Sequence, residues 1–352
     1  MNEYNRREIG KQAAELGFIR DTFEKMCRLT GLLSFFEHDP ILSRYLALKG
    51  GTAINLTIFN LPRLSVDIDL DFAENLPLDE MTEIREVIRT TIRQYMAMNG
   101  YTHSDKSKTY HTLDSDVFQY NNTGGVKDNI KVEINYSLRC HVLPLVKRPI
   151  ETLGIFEPVN VLAVDPIEIF AAKIAALLSR AAARDLYDTN NMVYFGLFDE
   201  TQTDLLRKCV IFNAAISSEE TPLGFEFVKM DNLTIHDIRT KLIPMLRKKE
   251  RFDLAAARGR VHDYLSVVLT LSENDTQFLS LFANQSSSTS PGEEKNVRFL
   301  SYIFQPIIPP LDKTTALAIH MAIIRRALTL NIFQMKSKQT KKPPMQIIAG
   351  CR

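Results

Sequence analysis

The stretch KGGTAINLTIFNLPRLSVDIDLDF, residues 49–72, decides the fold. Its three aspartates, Asp67, Asp69 and Asp71, alternate with Ile68 and Leu70, which is the period-two pattern of a β-strand. Residues two apart on a strand project from the same face, so Asp67 and Asp69 lie side by side. Two carboxylates at that distance repel each other unless a cation lies between them. The pattern therefore predicts a strand that binds Mg²⁺, an ion that takes oxygen ligands and is often shared with substrate phosphates.

A glycine pair lies just upstream of the aspartates. Gly50 and Gly51 precede Thr52, which we expect to be the N-cap of a helix over residues 52–59. The free backbone N–H groups at such a helix start attract phosphate, and an N-cap threonine can contact the same anion. The alternative is a simple loop with a capped helix. The position of the pair before the aspartate strand favours phosphate binding by Gly50, Gly51 and Thr52.

The rest of the chain indicates an α+β protein. Helical periodicity covers parts of residues 1–36 and all of 78–99, and strands are predicted at 45–48, 117–120, 130–136 and 161–164. After the Asp165-Pro166 helix start, helices are predicted over residues 166–181, 183–195, 201–217, 234–248, 251–271 and 273–283.

The change from mixed to helical periodicity predicts three regions. A mixed β-sheet domain with N-terminal helices covers residues 1–164, and a helical domain covers 165–284. Residues 285–352 form a polar linker and a divergent C-terminal segment, with a helix-like run at 314–333 and a basic tail.

Composition limits the partners and the compartment. The 352 residues include 45% hydrophobic and 24% charged residues, with a formal net charge of +1, so any nucleic acid must be bound by local patches. The four cysteines are far apart in sequence, which favours a reduced cytoplasmic compartment over a disulfide framework or a metal site. No apolar run approaches the ~20 residues that span a bilayer, so we expect no membrane association.

The glycine pair followed by Asp-x-Asp resembles the nucleotidyltransferase superfamily, and the wider context resembles the AbiEii/AbiGii toxin family within it. The resemblance covers roughly residues 30–285. The residues that carry it in the first block are Lys49, Gly50, Gly51, Thr52, Ala53, Asn55, Leu56, Arg63, Ser65, Asp67, Asp69 and Asp71. A second block, KIAALLSRAAARDLYD at residues 173–188, resembles the downstream family motif of a lysine, spaced arginines and an Arg-Asp pair.

The resemblance implies a nucleotidyltransferase fold with a mixed sheet and a helical domain, and it implies roles for individual residues. Lys173 would bind the triphosphate, and Asp185 would be a catalytic base or an orienting group. Arg63, Ser65 and Arg184 would contact the nucleotide or its acceptor. The superfamily usually adds a third metal-binding carboxylate, for which Glu133 and Asp185 are the two candidates.

Several side chains have two open interpretations. Lys173, Arg180 and Arg184 would share one face of an unbroken helix, ready to meet an anion, or Arg184 would simply pair with Asp188. Asp71 is either an outer metal ligand or, as we favour, a surface ion-pair partner of Arg63 or Lys49. We expect Tyr187 to be a core residue and not a base-stacking platform.

A basic run, residues 247–251, contains Arg247, Lys248, Lys249 and Arg251. Such a run at a helix end is usually solvated and favourable for the helix dipole, and contact with an RNA backbone is the less common alternative. We call it the 247–251 cluster.

The implied activity is Mg²⁺-dependent transfer of a nucleotide from an NTP to RNA, with release of pyrophosphate and the tRNA 3′ end as the best candidate acceptor. A toxin of this family implies a role in abortive infection or a toxin–antitoxin pair, with a DNA-binding regulator as cognate antitoxin. Two alternatives stay open: nucleotidylation of a protein hydroxyl, and a nucleotide-binding regulatory module without turnover.

Overall fold

Residues 4–59, 61–137, 141–150, 157–217 and 223–286 are described by the structure, a computed structural model. The predicted C-terminal helix at 314–333 and the basic tail lie outside the described residues. The linker is predicted from residue 285, but the last described helix continues to Ser286.

An eight-stranded mixed sheet forms one layer of the fold. Its strands are β1 (Leu46–Lys49), β2 (Asp67–Phe72), β3 (Thr102–His103), β4 (Lys108–Thr109), β5 (Leu113–Asn121), β6 (Lys127–Asn135), β7 (Val146–Pro149) and β8 (Asn160–Ala163). The strand order is β3-β5-β6-β2-β1-β8-β7, and β4 pairs with β5 beside this path. β2 is antiparallel to β1 and parallel to β6, so the aspartate strand occupies the middle of the sheet.

Helices account for most of the remaining described chain. They are α1 (Arg6–Leu16), α2 (Arg20–His38), α3 (Leu42–Tyr45), α4 (Gly50–Ala53), α5 (Leu78–Met98), α6 (Pro166–Arg180), α7 (Ala183–Tyr194), α8 (Glu200–Ser217), α9 (Val228–Asp231), α10 (Ile235–Lys241), α11 (Leu254–Val268) and α12 (Glu273–Ser286). A π-helical segment, Ile54–Ile58, continues α4, and a 3₁₀ turn spans Ile243–Met245.

The two faces of β2 differ because its residues alternate. Ile68, Leu70 and Phe72 are buried in the hydrophobic core. Leu70 lines a small cavity together with Leu33 of α2, so that helix covers the apolar face. Asp67, Asp69 and Asp71 share the other face, against which α4 packs. The sheet thus separates an apolar layer from a face that carries the charged side chains.

The fold confirms the predicted α+β class and most predicted elements. The Asp165 side chain accepts a hydrogen bond from the Ile167 N–H (2.8 Å), which confirms the predicted start of α6. The predicted hairpin is present but longer, as β5 and β6. One continuous hydrophobic cluster contains residues from both sides of position 164, and the boundary placed there stays a prediction.

Three local predictions are wrong. The helix expected over 234–248 ends at Lys241, because Pro244 lies in the 3₁₀ turn that follows. The 247–251 cluster therefore lies in irregular chain and not at a helix end. The helix after the glycine pair begins at Gly50, which makes Lys49 the N-cap and places Thr52 inside the first turn.

Candidate active site

The acidic centre of the site comes from strand register. Asp69 of β2 lies between Lys49 of β1 and Glu133 of β6 as their direct cross-strand neighbour, and Asp67 pairs with Lys131. Paired residues on adjacent strands face the same side, so these five charged side chains form two short rows across the sheet. The Lys131 Nζ atom is 2.9 Å from Glu133 Oε1.

Asp69 lies among charges of both signs. Burial raises the pKa of its carboxyl above the ordinary value; Lys49 and Lys173 oppose that rise, while Glu133 and Asp67 add to it. A cation bound between Asp67 and Asp69 would relieve this repulsion. Within the described residues, no three His, Cys, Asp or Glu side chains converge as a ready-made metal site, and the third ligand stays a prediction.

Asp71 has a structural contact on the same face. Its side chain is buried and forms a close ion pair with Lys49 Nζ. This is one of the two pairings that the sequence suggests for Asp71, although the pair is largely buried and not on the surface. Lys49 is thereby fixed beside Asp69, where its positive charge partly offsets the cluster of carboxylates.

The glycine turn packs tightly onto the aspartate strand. Gly50 has φ +69°, a left-handed conformation that side chains disfavour, and a Cβ atom there would lie 2.5 Å from Asp69 Oδ2. Thr52 is buried, and its hydroxyl contacts the Asp67 carbonyl oxygen and the Ser65 hydroxyl (2.9 Å). These contacts connect the start of α4 to β2, which sets the backbone N–H groups of the turn beside the carboxylates.

Lys173 brings the helical region to the site. Its Nζ atom lies 2.6 Å from Asp185 Oδ1 and 3.3 Å from Asp188 Oδ2. A lysine has three N–H donors, so two carboxylates leave one donor for a ligand. Asp185 Oδ2 is buried and has no hydrogen-bond partner in the described part of the chain, although Arg180 Nε approaches it to 3.6 Å.

The stretch from Lys173 to Arg184 is divided between two helices, in agreement with the helices predicted over 166–181 and 183–195. α6 ends at Arg180 and α7 begins at Ala183, because Ala181 adopts a left-handed conformation with φ +51°. The common face that Lys173, Arg180 and Arg184 would share on an unbroken helix is therefore absent. The break instead turns Asp185 and Asp188 back towards Lys173, since residues three apart lie on one helix face.

Arg180 and Arg184 lie at the edge of this arrangement. The Arg180 side chain is 70% exposed, and Arg184 is half-buried without an ion-pair partner among the residues that the structure describes. The alternative pairing of Arg184 with Asp188 does not occur, because Asp188 pairs with Arg63 and Lys173. Arg184 thus keeps a charge that a substrate could meet.

Arg63 occupies an unexpected position. Its side chain is 1% exposed, and Nε and Nη2 donate to the two oxygens of Asp188 at 2.8 and 2.6 Å. Although burial alone would raise the pKa of Asp188, the charges of Arg63 and Lys173 hold it below the ordinary value. The expected direct contact of Arg63 with a nucleotide does not fit this placement, because the guanidinium is enclosed by protein.

Asp188 has contacts that sequence reasoning misses, because it pairs with both Arg63 and Lys173. The signal is present in the RDLYD motif, because the three-residue step places Asp185 and Asp188 on one face of α7. What the sequence does not show is the partner, since Arg63 lies 125 positions away.

Tyr187 and part of the 247–251 cluster pack against other residues of the protein. Tyr187 is buried and donates to Glu250 Oε1 (2.5 Å), which confirms the expectation of a core residue. Arg247 stacks over the ring of Phe18 at 5.2 Å, whereas Lys248, Lys249 and Arg251 are exposed.

The residues of this site lie within a region that matches a known protein family. A family model described as nucleotidyl transferase AbiEii toxin, type IV toxin–antitoxin system, matches residues 34–262. The chain belongs to the AbiEii family. It is a nucleotidyltransferase, and the matched region contains both the glycine-aspartate block and the Lys173 block.

A solved structure shows the same fold. MenT4, a nucleotidyltransferase toxin from Mycobacterium tuberculosis H37Rv, superimposes with a TM-score of 0.59 at 17% identity, covering 86% of this chain and 99% of that chain. No curated protein shows a significant sequence match. No helix among the described residues is long and apolar enough to cross a membrane.

Proposed function

We propose that this AbiEii-family nucleotidyltransferase uses Mg²⁺ and an NTP to add a nucleotide to an RNA hydroxyl, with the tRNA 3′ end as the best candidate acceptor. The observation that carries the proposal is the series of contacts that joins the aspartate strand to Lys173. Gly50 packs against Asp69, and the adjoining Gly51 lies against Arg63. Arg63 and Lys173 both pair with Asp188. A carboxylate for metal beside a lysine for phosphate is the arrangement that nucleotidyl transfer requires.

Asp67 and Asp69 fit an Mg²⁺ ion. They share one strand face, and the partly buried Asp69 carboxyl has like charges near it that a cation would neutralise. Glu133 and Asp185 are the candidates for a third ligand. Bound there, Mg²⁺ would supply charge stabilisation to the phosphates and lower the pKa of the attacking hydroxyl.

The triphosphate would lie between Lys173 and the start of α4. The remaining N–H donor of Lys173 gives a charge-assisted hydrogen bond to a phosphate oxygen. The backbone N–H groups of Gly51 and Thr52 lie in the first helical turn, where they have no intrahelical partner and favour an anion. Ser65 and Thr52 support this turn through their hydroxyl contact.

Asp185 would act on the acceptor through its second oxygen. Oδ1 orients Lys173, while Oδ2 is buried and has no hydrogen-bond partner in the described chain; for Oδ2 to take the proton of the attacking hydroxyl, the bound acceptor must reach this enclosed oxygen. The hydroxyl oxygen then bonds to the α-phosphorus, the bond from that phosphorus to the bridging oxygen breaks, and pyrophosphate leaves. Arg184, which has no carboxylate partner among the described residues, would meet an acceptor phosphate.

The biological setting proposed for the chain comes from its family. A type IV toxin implies a cognate antitoxin, for which a DNA-binding regulator is the expectation. Cytoplasmic localisation stays a prediction from sequence.

The acceptor is tested with the four NTPs, each labelled at the α-phosphate, and with total tRNA or an RNA-free protein extract as acceptor. The proposal predicts label on RNA that a nuclease removes and a protease does not. Label on protein alone would favour protein nucleotidylation, and NTP binding without transfer to either acceptor would favour a regulatory module.

A further inference from the structure

The Arg63–Asp188 pair is deeply buried. Both side chains are 1% exposed, and Arg63 donates to both Asp188 oxygens and to the Leu64 carbonyl oxygen (3.1 Å). Removing two charges from water is costly, and well-packed apolar residues in place of such a pair are often as stable or more so. Such a pair can instead serve to fix the positions of the groups around it.

The pair contacts two parts of the proposed nucleotide site at once. On one side, Asp188 Oδ2 lies 3.3 Å from Lys173 Nζ and, with Asp185, determines where that ammonium group points. On the other side, a Cβ atom on Gly51 would lie only 2.8 Å from Arg63 Nη2, so the guanidinium lies directly against the glycine turn.

The pair connects three separate segments of the chain. Gly51 belongs to α4, Arg63 precedes β2, and Asp188 belongs to α7. Arg63 has a planar donor fork that fixes direction as well as distance, which a lysine would not reproduce. The chain around Arg63 is also held at its neighbour, because the Leu64 N–H donates to the Met245 carbonyl oxygen (2.9 Å).

We propose that Arg63 and Asp188 are positioning residues for nucleotide transfer: together they hold the Lys173 ammonium and the Gly50-Gly51 turn at a fixed separation, so that both meet one triphosphate. Neither residue touches the substrate. This inference rests on the proposed function, since it concerns the same triphosphate site.

The molecule contains a matched pair for comparison. Arg85 donates to Asp114 through Nε (3.0 Å) and Nη2 (2.7 Å), and both side chains are nearly buried. That pair joins α5 to β5, and the other hydrogen bonds of Arg85 go to the carbonyl oxygens of Tyr110 and His111. It has the same chemistry as the Arg63–Asp188 pair, but these partners all lie outside the proposed site.

The test compares two double variants, R63M/D188L and R85M/D114L. Both replace an ion pair by apolar side chains, so similar denaturant unfolding is expected for the two. Nucleotide transfer should fall by about 100-fold or more in R63M/D188L, as an error of about 1 Å in placement implies. The KM for NTP should rise and kcat should fall. R85M/D114L should keep the wild-type values.

Wild-type kcat and KM in a folded R63M/D188L protein would overturn the inference, as would an equal loss in R85M/D114L. If R63M/D188L fails to fold, D188N and D114N serve instead, since each keeps the side-chain volume. D188N should weaken NTP binding about tenfold more than D114N, and equal NTP affinities would overturn the inference. Failure of the proposed function is distinguishable, because the wild type itself would then transfer no nucleotide.

Discussion

Gly50 is where the backbone of the glycine turn and the aspartate strand make their closest contact. It adopts φ +69°, and the space that a side chain would need is filled by Asp69. A Cβ atom would lie 2.5 Å from Asp69 Oδ2 and 3.2 Å from both its Cβ and Cγ atoms. Rotation of the carboxylate alone would therefore not relieve the clash in Gly50→Ala.

Two effects of Gly50→Ala can be separated by size. The left-handed conformation costs about 1–2 kcal/mol for a residue with a Cβ atom. Ordinary van der Waals contact begins at 3.4 Å, so the Asp69 carboxylate must retreat by about 0.9 Å. A displacement of about 1 Å at a catalytic group lowers the rate by roughly 100-fold. We therefore expect a modest loss of stability and a large loss of nucleotide transfer.

Gly100 provides the control, because it has φ +80° and no described atom lies within 4 Å of the position that an alanine methyl group would take there. Gly100→Ala should have a similar backbone cost without any effect on the site. The assay measures transfer rate and denaturant unfolding for both variants. Equal transfer rates in Gly50→Ala and Gly100→Ala would refute the idea that the turn sets the position of Asp69.

Three further predictions concern single parts of the account. Lys173→Ala should weaken NTP binding and slow transfer, and Lys173→Arg should not rescue either, because a fork cannot replace one ammonium between two carboxylates; unchanged NTP affinity by calorimetry would contradict this. Neutralising the exposed cations of the 247–251 cluster should lower the slope of log binding constant against log salt concentration for RNA by about one for each cation that binds an RNA phosphate, with NTP binding unaffected. An unchanged slope would mean that the cluster is only a solvated surface. Because the pKa of Asp188 is lowered in the folded state, ionised Asp188 stabilises the fold above about pH 3.9, and this stabilisation is lost as the pH falls below that value. The unfolding free energy of R63M/D188L should therefore depend less steeply on acid pH than that of the wild type. Equal slopes for the two proteins would contradict the lowered pKa of Asp188.

The strand and its charged face are predictable because they depend on local alternation. The period-two alternation shows which face of the strand Asp67, Asp69 and Ile68 each occupy. The pairing of β2 with β6 then brings Glu133 beside Asp69. The start of α6 is equally local, since an N-cap aspartate and a proline suffice to place it.

What the sequence does not reveal depends on tertiary contacts. The break between α6 and α7 agrees with the two predicted helices, but the left-handed conformation of Ala181 and the direction in which α7 then runs have no signal in the sequence. The sequence suggests that Arg63 is exposed and available to a substrate, because charged residues are usually exposed. Only the fold shows that Arg63 is buried and paired with Asp188. Thr52 has the sequence context of an N-cap, but the helix begins two residues earlier.

The most direct test of the central claim is transfer of label from α-phosphate-labelled NTP to tRNA by the wild type and by Asp69→Asn. This variant removes the charge at the centre of the proposed metal site and keeps the shape of the side chain. We predict Mg²⁺-dependent labelling by the wild type, no label when the γ-phosphate carries it, and no labelling by a folded Asp69→Asn protein. Labelling by Asp69→Asn at the wild-type rate, or by the wild type in excess EDTA, would contradict the account.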